Sequence, residues 1–267
     1  WAFAEKQNNE YEKRHHLLNV ESLARQIKDA PLFEKTRLAA WGELSTAACV
    51  DIGRVYLESG NPHNALSWLE RIPLTDNFNA YDRDELLLEI YGKLGKHEKQ
   101  AETAWRIFAS HRSKDTLDEL LEIIGEDKRD RVIRDEARNI LDSERLSYSD
   151  AKFLIETGCI DEAETYLFSR ADQLDGDFYT GVLPLAESME KHGRLLTATL
   201  LYRSLLDSIL RRGVSKYYHH GIRYLKKLDQ LAGNVNDWKD VLPHAAYKEG
   251  LRQSHGRKRS FWSRYEG

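Results

Sequence analysis

Glycines recur along the chain at a nearly constant interval. They stand at Gly60, Gly95, Gly125, Gly158 and Gly193, so the gaps between them are 35, 30, 33 and 35 residues. A period of this length is typical of folds that stack one helix–turn–helix unit on the next, because each unit must bury its apolar face against its neighbours. This spacing constrains the fold more than any other feature of the sequence.

Four of the five glycines, all except Gly125, share their surroundings. A large apolar residue lies four positions before each of them: Tyr56, Tyr91, Leu154 and Met189. An alanine follows each after five or six positions: Ala65, Ala101, Ala163 and Ala198. Four positions beyond each alanine lies another large apolar residue: Leu69, Trp105, Leu167 and Tyr202. We expect the glycine to end a first helix, the alanine to admit a close second helix, and the last residue to fill the groove.

The first unit is the clearest copy of the pattern. Its key residues are Gly53, Tyr56, Gly60, Ala65 and Leu69, followed by Ile72 and Pro73. It resembles a tetratricopeptide repeat, whereas the unit around Gly125 is degenerate, with Asp130 and Arg131 where the alanine belongs. The sequence therefore predicts an all-α fold, an α-solenoid of stacked antiparallel helix pairs that is tetratricopeptide-like. An irregular helical bundle is the alternative.

The chain shows no internal linker, and its five prolines leave long stretches that favour helix. We expect one elongated domain over residues 1–267, with opening helices in 1–45, acidic repeats in 46–210 and basic capping helices in 211–267. The opening helix is predicted from Asn9 to Ala30. Its apolar face would be formed by residues at helical spacing: Leu17, Val20, Leu23, Ala24 and Ile27. The chain begins with Trp1, so it is expected to be a fragment of a longer protein.

Charge is distributed unevenly along the chain. Taken over the whole chain, the formal net charge of −4 argues against the class of strongly basic nucleic-acid-binding proteins. Residues 211–267, however, hold 13 Lys and Arg against five Asp and Glu, a net charge of +8, and the preceding residues carry −12. The net charge therefore argues against nucleic-acid binding by the acidic residues 1–210. It does not argue against an anionic partner for the basic residues 211–267.

Aromatic and cationic side chains are interleaved in this basic end. Arginine donates a fork of hydrogen bonds and tyrosine stacks on flat groups, so these side chains are candidates for binding phosphate, nucleic acid or an acidic peptide. The candidates are Lys216, Tyr217, His219, His220, Arg223, Tyr224, Lys227, Arg257, Lys258 and Arg259. The alternative is a terminal cap, since the last repeat of a solenoid needs a polar outer face. Phe261 and Trp262 are expected to pack back onto the last helices.

The last part of the chain also resembles a known family. The residues that carry the resemblance are 200–203, 215–218, 223–225, Asp237, Trp238, His244, Tyr247, Leu251, Arg252, 255–258, Phe261 and Trp262. They are similar to the C-terminal region of an uncharacterised bacterial family, a domain of unknown function with tetratricopeptide-like helices. A related pattern ends bacterial SWIM zinc-finger proteins. The resemblance implies a bacterial, cytoplasmic helical protein. The zinc motif of SWIM proteins pairs Cys-x-Cys with Cys-x-His, and the isolated Cys49 and Cys159 do not form it.

Motifs of catalysis and metal binding are missing from the sequence. It contains no His-Glu-x-x-His, no Gly-x-Ser-x-Gly and neither glycine-rich phosphate loop. The adjacent pairs His15–His16 and His219–His220 diverge by about 100° on a helix and make poor metal sites. Cys159 at a predicted helix start is a candidate for a lowered pKa, although a small buried core residue is the favoured interpretation. The sequence thus predicts no catalytic residue, no metal, no cofactor and no membrane-spanning segment.

These observations favour a non-catalytic scaffold that binds a peptide or a partner protein in the cytoplasm. Polar residues on the first helices of the pairs, such as Arg54, Glu58 and Lys93, are candidate groove contacts. One alternative is a nucleic-acid-associated protein that uses the basic end, including Arg211, Arg212 and Lys226. Another is the non-catalytic part of an enzyme whose active domain is missing.

Overall fold

A computed structural model describes residues 10–267. This part of the chain is helical, without a strand, and contains fifteen α-helices and three short 3-10 turns. The 3-10 turns are Glu126–Lys128, Ala171–Gln173 and Ser215–Tyr217. Contacts divide the chain into two compact units, residues 1–126 and residues 127–267, where the sequence suggested one elongated domain.

The first unit holds seven helices in its described residues. They are α1 (Glu10–Gln26), α2 (Ala30–Trp41), α3 (Thr46–Glu58), α4 (Pro62–Leu69), α5 (Ala80–Lys93), α6 (His97–Ser110) and α7 (Lys114–Ile124). Each packs against the next, and α3 also contacts α5. Apolar side chains from successive helices, among them Phe33, Ile52, Leu69 and Ile90, are fully buried between them. Burial of this continuous apolar seam drives the helices together.

The second unit holds the remaining eight helices. They are α8 (Arg129–Asp142), α9 (Tyr148–Glu156), α10 (Ile160–Ser169), α11 (Tyr179–Lys191), α12 (Leu195–Arg212), α13 (Tyr218–Ala232), α14 (His244–His255) and α15 (Arg259–Glu266). Neighbours pack as pairs, and alternate helices stack, since α8 contacts α10, α9 contacts α11 and α10 contacts α12. The predicted all-α fold of packed helix pairs, α-solenoid-like in its organisation, is confirmed.

One turn geometry closes the first helix of each of the four well-formed pairs. At the end of α3, Gly60 has a φ of +79° and donates its N–H to the Leu57 carbonyl, while Asn61 donates to the Tyr56 carbonyl at 2.9 Å. These two hydrogen bonds form a Schellman motif, which requires one residue in the left-handed backbone conformation. The same two bonds recur around Gly95, Gly158 and Gly193. The apolar residue four positions before each glycine therefore supplies the backbone carbonyl that accepts the N–H of the residue after the glycine.

Close helix packing follows the predicted pattern in three of the four pairs. Ala65, Ala163 and Ala198 are fully buried. Opposite Ala65, a Cβ on Gly53 would lie only 3.1 Å from Leu69. The small residue on the first helix thus admits the large residue on the second.

The packing residues predicted for the second pair are wrong. Ala101 is half-buried and Trp105 is 37% exposed, while Ala104 and Phe108 fill the core instead. Ala101 follows its glycine by six residues, whereas the other alanines follow theirs by five, and one residue rotates a helical position by about 100°. Gln100 takes the equivalent place, where Gly92 leaves room for its side chain.

The opening helix buries a narrower face than its apolar pattern predicts. Leu17 and Ala24 are buried in α1, but Leu23 is 58% exposed and Ile27, which lies beyond the helix, is 68% exposed. Glu21 lies between Leu17 and Ala24 on the buried face, and it pairs with Arg37 of α2 at 2.6 Å. The buried face of α1 is therefore the one that carries Leu17, Glu21 and Ala24, and Leu23 lies about 200° around the helix from Glu21. Asn9 lies outside the described residues.

The C-terminal aromatics pack inward as predicted. Phe261 and Trp262 of α15 are buried, and the Phe261 ring meets Tyr218 of α13 edge-on at 5.6 Å. Phe261 occupies the space above Gly221, where a Cβ would lie 3.1 Å from its ring. The glycine inside α13 thus serves close packing, which offsets its low helix propensity.

Candidate functional site

A cavity of about 390 Å³ opens where α11, α12 and α13 meet. Its aliphatic wall is formed by Leu183 of α11 and by Leu205 and Ile209 of α12. The remaining lining residues are aromatic or polar: Gly176, Asp177, Tyr179, Arg212, Tyr217, His220, Arg223 and Tyr224. We call this cavity the tyrosine pocket. It combines an apolar interior with a few charged groups, the composition expected of a ligand site.

Exposed aromatic side chains surround the tyrosine pocket. Tyr179 and Tyr217 line it and are exposed, and the neighbouring Phe178 is exposed as well. Tyr224 is buried, with its ring 6.0 Å from that of Tyr202. Folding does not require large aromatic groups to face water, so a cluster of them beside an apolar cavity is a candidate binding surface.

Cationic side chains lie against these rings. The Arg223 guanidinium is 5.3 Å from the centre of the Tyr224 ring, and that of Arg212 is 5.7 Å from Tyr217. Desolvation, reinforced by the nearby charges of His219 and Arg223, holds the pKa of His220 below its usual 6.5. His220 is consequently neutral at pH 7 and becomes a third cation only in acid.

Asp177 fixes the turn that forms one wall of the pocket. Its carboxylate accepts hydrogen bonds from the Ser208 hydroxyl and, at 3.1 Å, from Arg211. The bond from Ser208 and the charges of Arg211 and Arg212 outweigh desolvation and lower the pKa of Asp177. The preceding Gly176 lies so close to α12 that a Cβ would overlap the Ser204 carbonyl. The turn and α12 therefore form one rigid wall.

The predicted binding residues separate into two groups. Tyr217, His220, Arg223 and Tyr224 come together in the tyrosine pocket. Beside it lie Lys216, with its ammonium 5.8 Å from the Tyr217 ring, His219, which bonds to the Lys216 carbonyl, and Lys227, which pairs with Glu190 at 2.9 Å. The second group does not line this pocket: exposed Arg257 and Arg259 flank half-buried Lys258 at the start of α15.

Several pocket residues were missed by sequence reasoning. Tyr179, Leu183, Leu205 and Ile209 belong to α11 and α12, which precede or only border the basic segment. Their apolar spacing looks identical to that of core positions. The exposed pair Phe178–Tyr179 directly after a turn was the one available signal, because such a pair is rarely left facing water.

A cluster around Asp229 ties the last three helices together. Its carboxylate binds His244 at 2.9 Å and Lys248 at 2.8 Å, both on α14, and the Tyr265 hydroxyl of α15. Desolvation raises the pKa of Asp229, but the hydrogen bonds from Lys248, Tyr265 and His244 outweigh it, so the net pKa is lowered. The arrangement is that of a structural cross-link between helices.

The two cysteines lack the surroundings of a nucleophile. Burial raises the pKa of the Cys49 thiol, with a smaller opposing effect from Arg71. Burial also raises the pKa of Cys159, although this residue stands at the start of α10. A thiol that stays protonated at neutral pH is a weak nucleophile.

The described part of the chain offers neither a metal-binding cluster nor a helix able to span a membrane. Between residues 10 and 267, no three His, Cys, Asp or Glu side chains converge in a way that would hold a metal ion. Over the same residues, no helix is both long enough and apolar enough to traverse a bilayer.

Comparison with known proteins gives one match. Residues 5–264 match a family whose description reads "Family of unknown function (DUF6880)". No curated protein and no solved structure matches the chain significantly. Because the match spans nearly all of the sequence, the chain belongs to this family of unknown function.

Proposed function

We propose that the protein is a non-catalytic interaction scaffold, and that its tyrosine pocket binds a short peptide segment of a partner protein. The segment would present one large apolar side chain flanked by Asp or Glu. The observation that carries the proposal is that one cavity between three packed helices is lined by aliphatic side chains together with exposed tyrosines and arginines.

The dimensions of the pocket suit a side chain better than an extended chain. Ligand cavities usually measure about 300–1,000 Å³, and a volume of about 390 Å³ is near the lower limit. Leu183, Leu205 and Ile209 supply the apolar contact, and the exposed Tyr179 and Tyr217 can close over an inserted group. Aromatic and arginine side chains of this kind dominate the binding energy of protein interfaces.

Charge specifies the flanks of the segment. Arg212 and Arg223 line the pocket, Lys216 lies next to Tyr217, and residues 211–267 carry a net charge of +8. Complementary charges steer association and discriminate between partners. Aspartate or glutamate on either side of the apolar residue would meet these cations.

We further infer that the helix pairs are tetratricopeptide-like. The recurrent glycine turn and the buried Ala65, Ala163 and Ala198 support this inference, because both features are ordinary in such repeats. Kinship with the tails of SWIM zinc-finger proteins, and a bacterial cytoplasmic setting, belong to the same proposal and rest on the C-terminal residues quoted above.

Nucleic-acid binding by the basic end is the second candidate. Much of the positive charge in this segment is already engaged: Arg211 and Arg212 lie beside Asp177, Lys227 pairs with Glu190, and Arg252 pairs with Glu266. Each cation held by a carboxylate is less available to a phosphate. The pairing matters more for a nucleic acid, whose affinity grows with the number of phosphate contacts, than for a short peptide that meets Arg223 at the pocket.

A labelled peptide tests the proposal. Its centre would be a single phenylalanine, its flanks aspartate and glutamate, and binding would be followed by fluorescence anisotropy. We expect Arg223→Glu to weaken binding by about tenfold, because it reverses a charge at the pocket. Lys226→Glu is the matched control, since it makes the same change at an exposed position of α13 outside the pocket lining.

Two results would contradict the peptide proposal. Equal losses in the two variants would show that only general electrostatics attract the peptide. Preferential binding of a single-stranded oligonucleotide, with a log–log salt slope of about −0.7 per phosphate contact, would establish the nucleic-acid alternative.

A further inference from the structure

A loop of the first unit carries a large aromatic side chain that faces water. Phe78 lies between α4 and α5 and is 63% exposed, and Leu74 of the same connection is exposed as well. Neither residue belongs to the apolar core of this unit. Two exposed apolar side chains on one short connection form a candidate contact surface. We call residues 73–79 the Phe78 loop.

Buried polar contacts hold the Phe78 loop in place. The Arg83 guanidinium, which is buried, donates hydrogen bonds to the backbone carbonyls of Pro73 at 3.0 Å and of Asp76 at 3.2 Å. The Asp76 carboxylate accepts the Thr46 hydroxyl of α3 and, at 2.9 Å, the backbone N–H of Phe78. The loop is therefore ordered before a partner arrives, so binding of Phe78 costs little conformational entropy.

The surroundings of Phe78 are acidic. Asp76 precedes it by two residues, and Asp82 and Glu85 follow it on α5. The hydrogen bonds that Asp76 accepts, above all the one from the hydroxyl, lower its pKa, so its carboxylate is charged at neutral pH. The only cation between residues 76 and 85 is Arg83, which is buried and already paired with a carboxylate. Phe78 is thus an apolar side chain with negative charge on both sides in the sequence.

The Phe78 loop has the properties that the tyrosine pocket would recognise. The proposed function requires one large apolar side chain flanked by Asp or Glu, and this loop presents that combination on the surface of the protein itself. The charges are complementary, since Arg212 and Arg223 line the pocket and residues 211–267 carry a net charge of +8. We propose that the partner is a second copy of this chain, whose Phe78 loop docks in the tyrosine pocket. This inference rests on the proposed function.

Such an interface joins two different surfaces. One copy contributes the Phe78 loop and the other contributes the tyrosine pocket, so the contact is heterologous. A dimer would keep one free loop and one free pocket, and further copies could add until a ring closes. A pocket that admits a single side chain buries little area, so the association should be weak and depend on concentration.

Analytical ultracentrifugation of the full chain tests the inference. From about 10 µM to about 1 mM, the weight-average mass of the wild type should rise above that of the monomer. Phe78→Ser removes the inserted side chain and Arg223→Glu reverses a charge at the pocket, so each variant alone should remain monomeric. Leu23→Ser is the matched control, because it replaces an exposed apolar side chain of α1, and it should associate like the wild type.

Mixing the two variants gives a sharper measurement. Phe78→Ser keeps an intact pocket and Arg223→Glu keeps an intact loop, so an equimolar mixture retains one complete interface and should form a 1:1 dimer that cannot extend. The labelled phenylalanine peptide should bind Phe78→Ser at least as tightly as the wild type, which verifies that this variant is folded. The same peptide, unlabelled and in excess, should dissociate the wild-type assembly.

The results separate this inference from the proposed function. A wild type that binds the peptide but stays monomeric up to about 1 mM would overturn the second copy as partner and leave peptide binding intact. Assembly that persists in both Phe78→Ser and Arg223→Glu, or that is lost equally in Leu23→Ser, would also overturn it. Absence of peptide binding by the wild type would instead contradict the proposed function, and this inference with it.

Discussion

Replacement of Gly176 by alanine tests the close approach of the turn to the backbone of α12 beside the tyrosine pocket. A Cβ at this position would overlap the carbonyl carbon and oxygen of Ser204 and would lie 2.9 Å from the Leu205 nitrogen. All three atoms belong to the backbone of α12, so no flexible side chain can move aside. The turn or the helix must shift instead.

The cost of that shift follows from overpacking. Extra methyl groups forced into packed regions destabilise by about 1–3 kcal/mol, and contacts with backbone place Gly176→Ala at about 3 kcal/mol. For a chain of this size, 1 kcal/mol corresponds to a change in Tm of about 2–4 °C. We therefore expect Tm to fall by about 6–12 °C, as measured by calorimetry or circular dichroism.

A second glycine supplies the matched control. Gly250 lies inside α14, and no atom lies within 4 Å of a Cβ built there. Alanine is about 1 kcal/mol more favourable than glycine in a helix interior, so Gly250→Ala should raise Tm by a few degrees. If Gly176→Ala were as stable as the wild type while Gly250→Ala behaved as expected, the close approach of the turn to α12 would be refuted.

Four further predictions concern stability and pH. Asp229→Asn should lower the free energy of unfolding in urea by about 2 kcal/mol, because the charge-assisted bond to Lys248 is lost; an unchanged midpoint would argue against the cluster. The folded pKa of Asp229 is below the unfolded value of 3.8. Its contribution to the free energy of unfolding is therefore complete above pH 3.8 and disappears as the pH falls through the folded pKa. Acid titration should consequently destabilise the wild type more than Asp229→Asn. Protonation of His220 below pH 6.5 should tighten binding of the acidic peptide until the peptide's own carboxylates titrate, and loss of this rise in His220→Gln would assign it. Ala163→Leu should destabilise by about 2–3 kcal/mol and Ala101→Leu by less than about 0.5 kcal/mol, and equal effects would contradict the corrected packing.

Local features were the predictable part of the fold. A turn that needs positive φ favours glycine, so it can be recognised in a single sequence. The recurring spacing from Gly60 to Gly193 was enough to predict the helix pairs. Ala101 and Trp105 show the limit, because each stands one position later after its glycine than in the other pairs, which places it about 100° away from the expected contact. The sequence does not show which of these faces of α6 is buried, because both carry apolar residues.

The candidate sites depended on contacts between distant helices. Tyr217 and Arg223 were predicted from the basic segment alone, but the aliphatic wall that completes their pocket comes from α11 and α12. The buried Arg203 of α12 likewise lies against the rings of Tyr247 and Trp238, which stand more than thirty positions further along the chain.

The recurrent glycine turn has a consequence for how the chain can change in length. Both hydrogen bonds of each turn come from the helix that it closes and from the two residues that follow, so the turn does not depend on what comes later. Gly60 and Gly95 lie 35 residues apart, as do Gly158 and Gly193. A tandem duplication of such a 35-residue block would rebuild the same turn one step further along. The gene can therefore gain or lose whole helix pairs, whereas insertion of a few residues inside a helix shifts every contact after it.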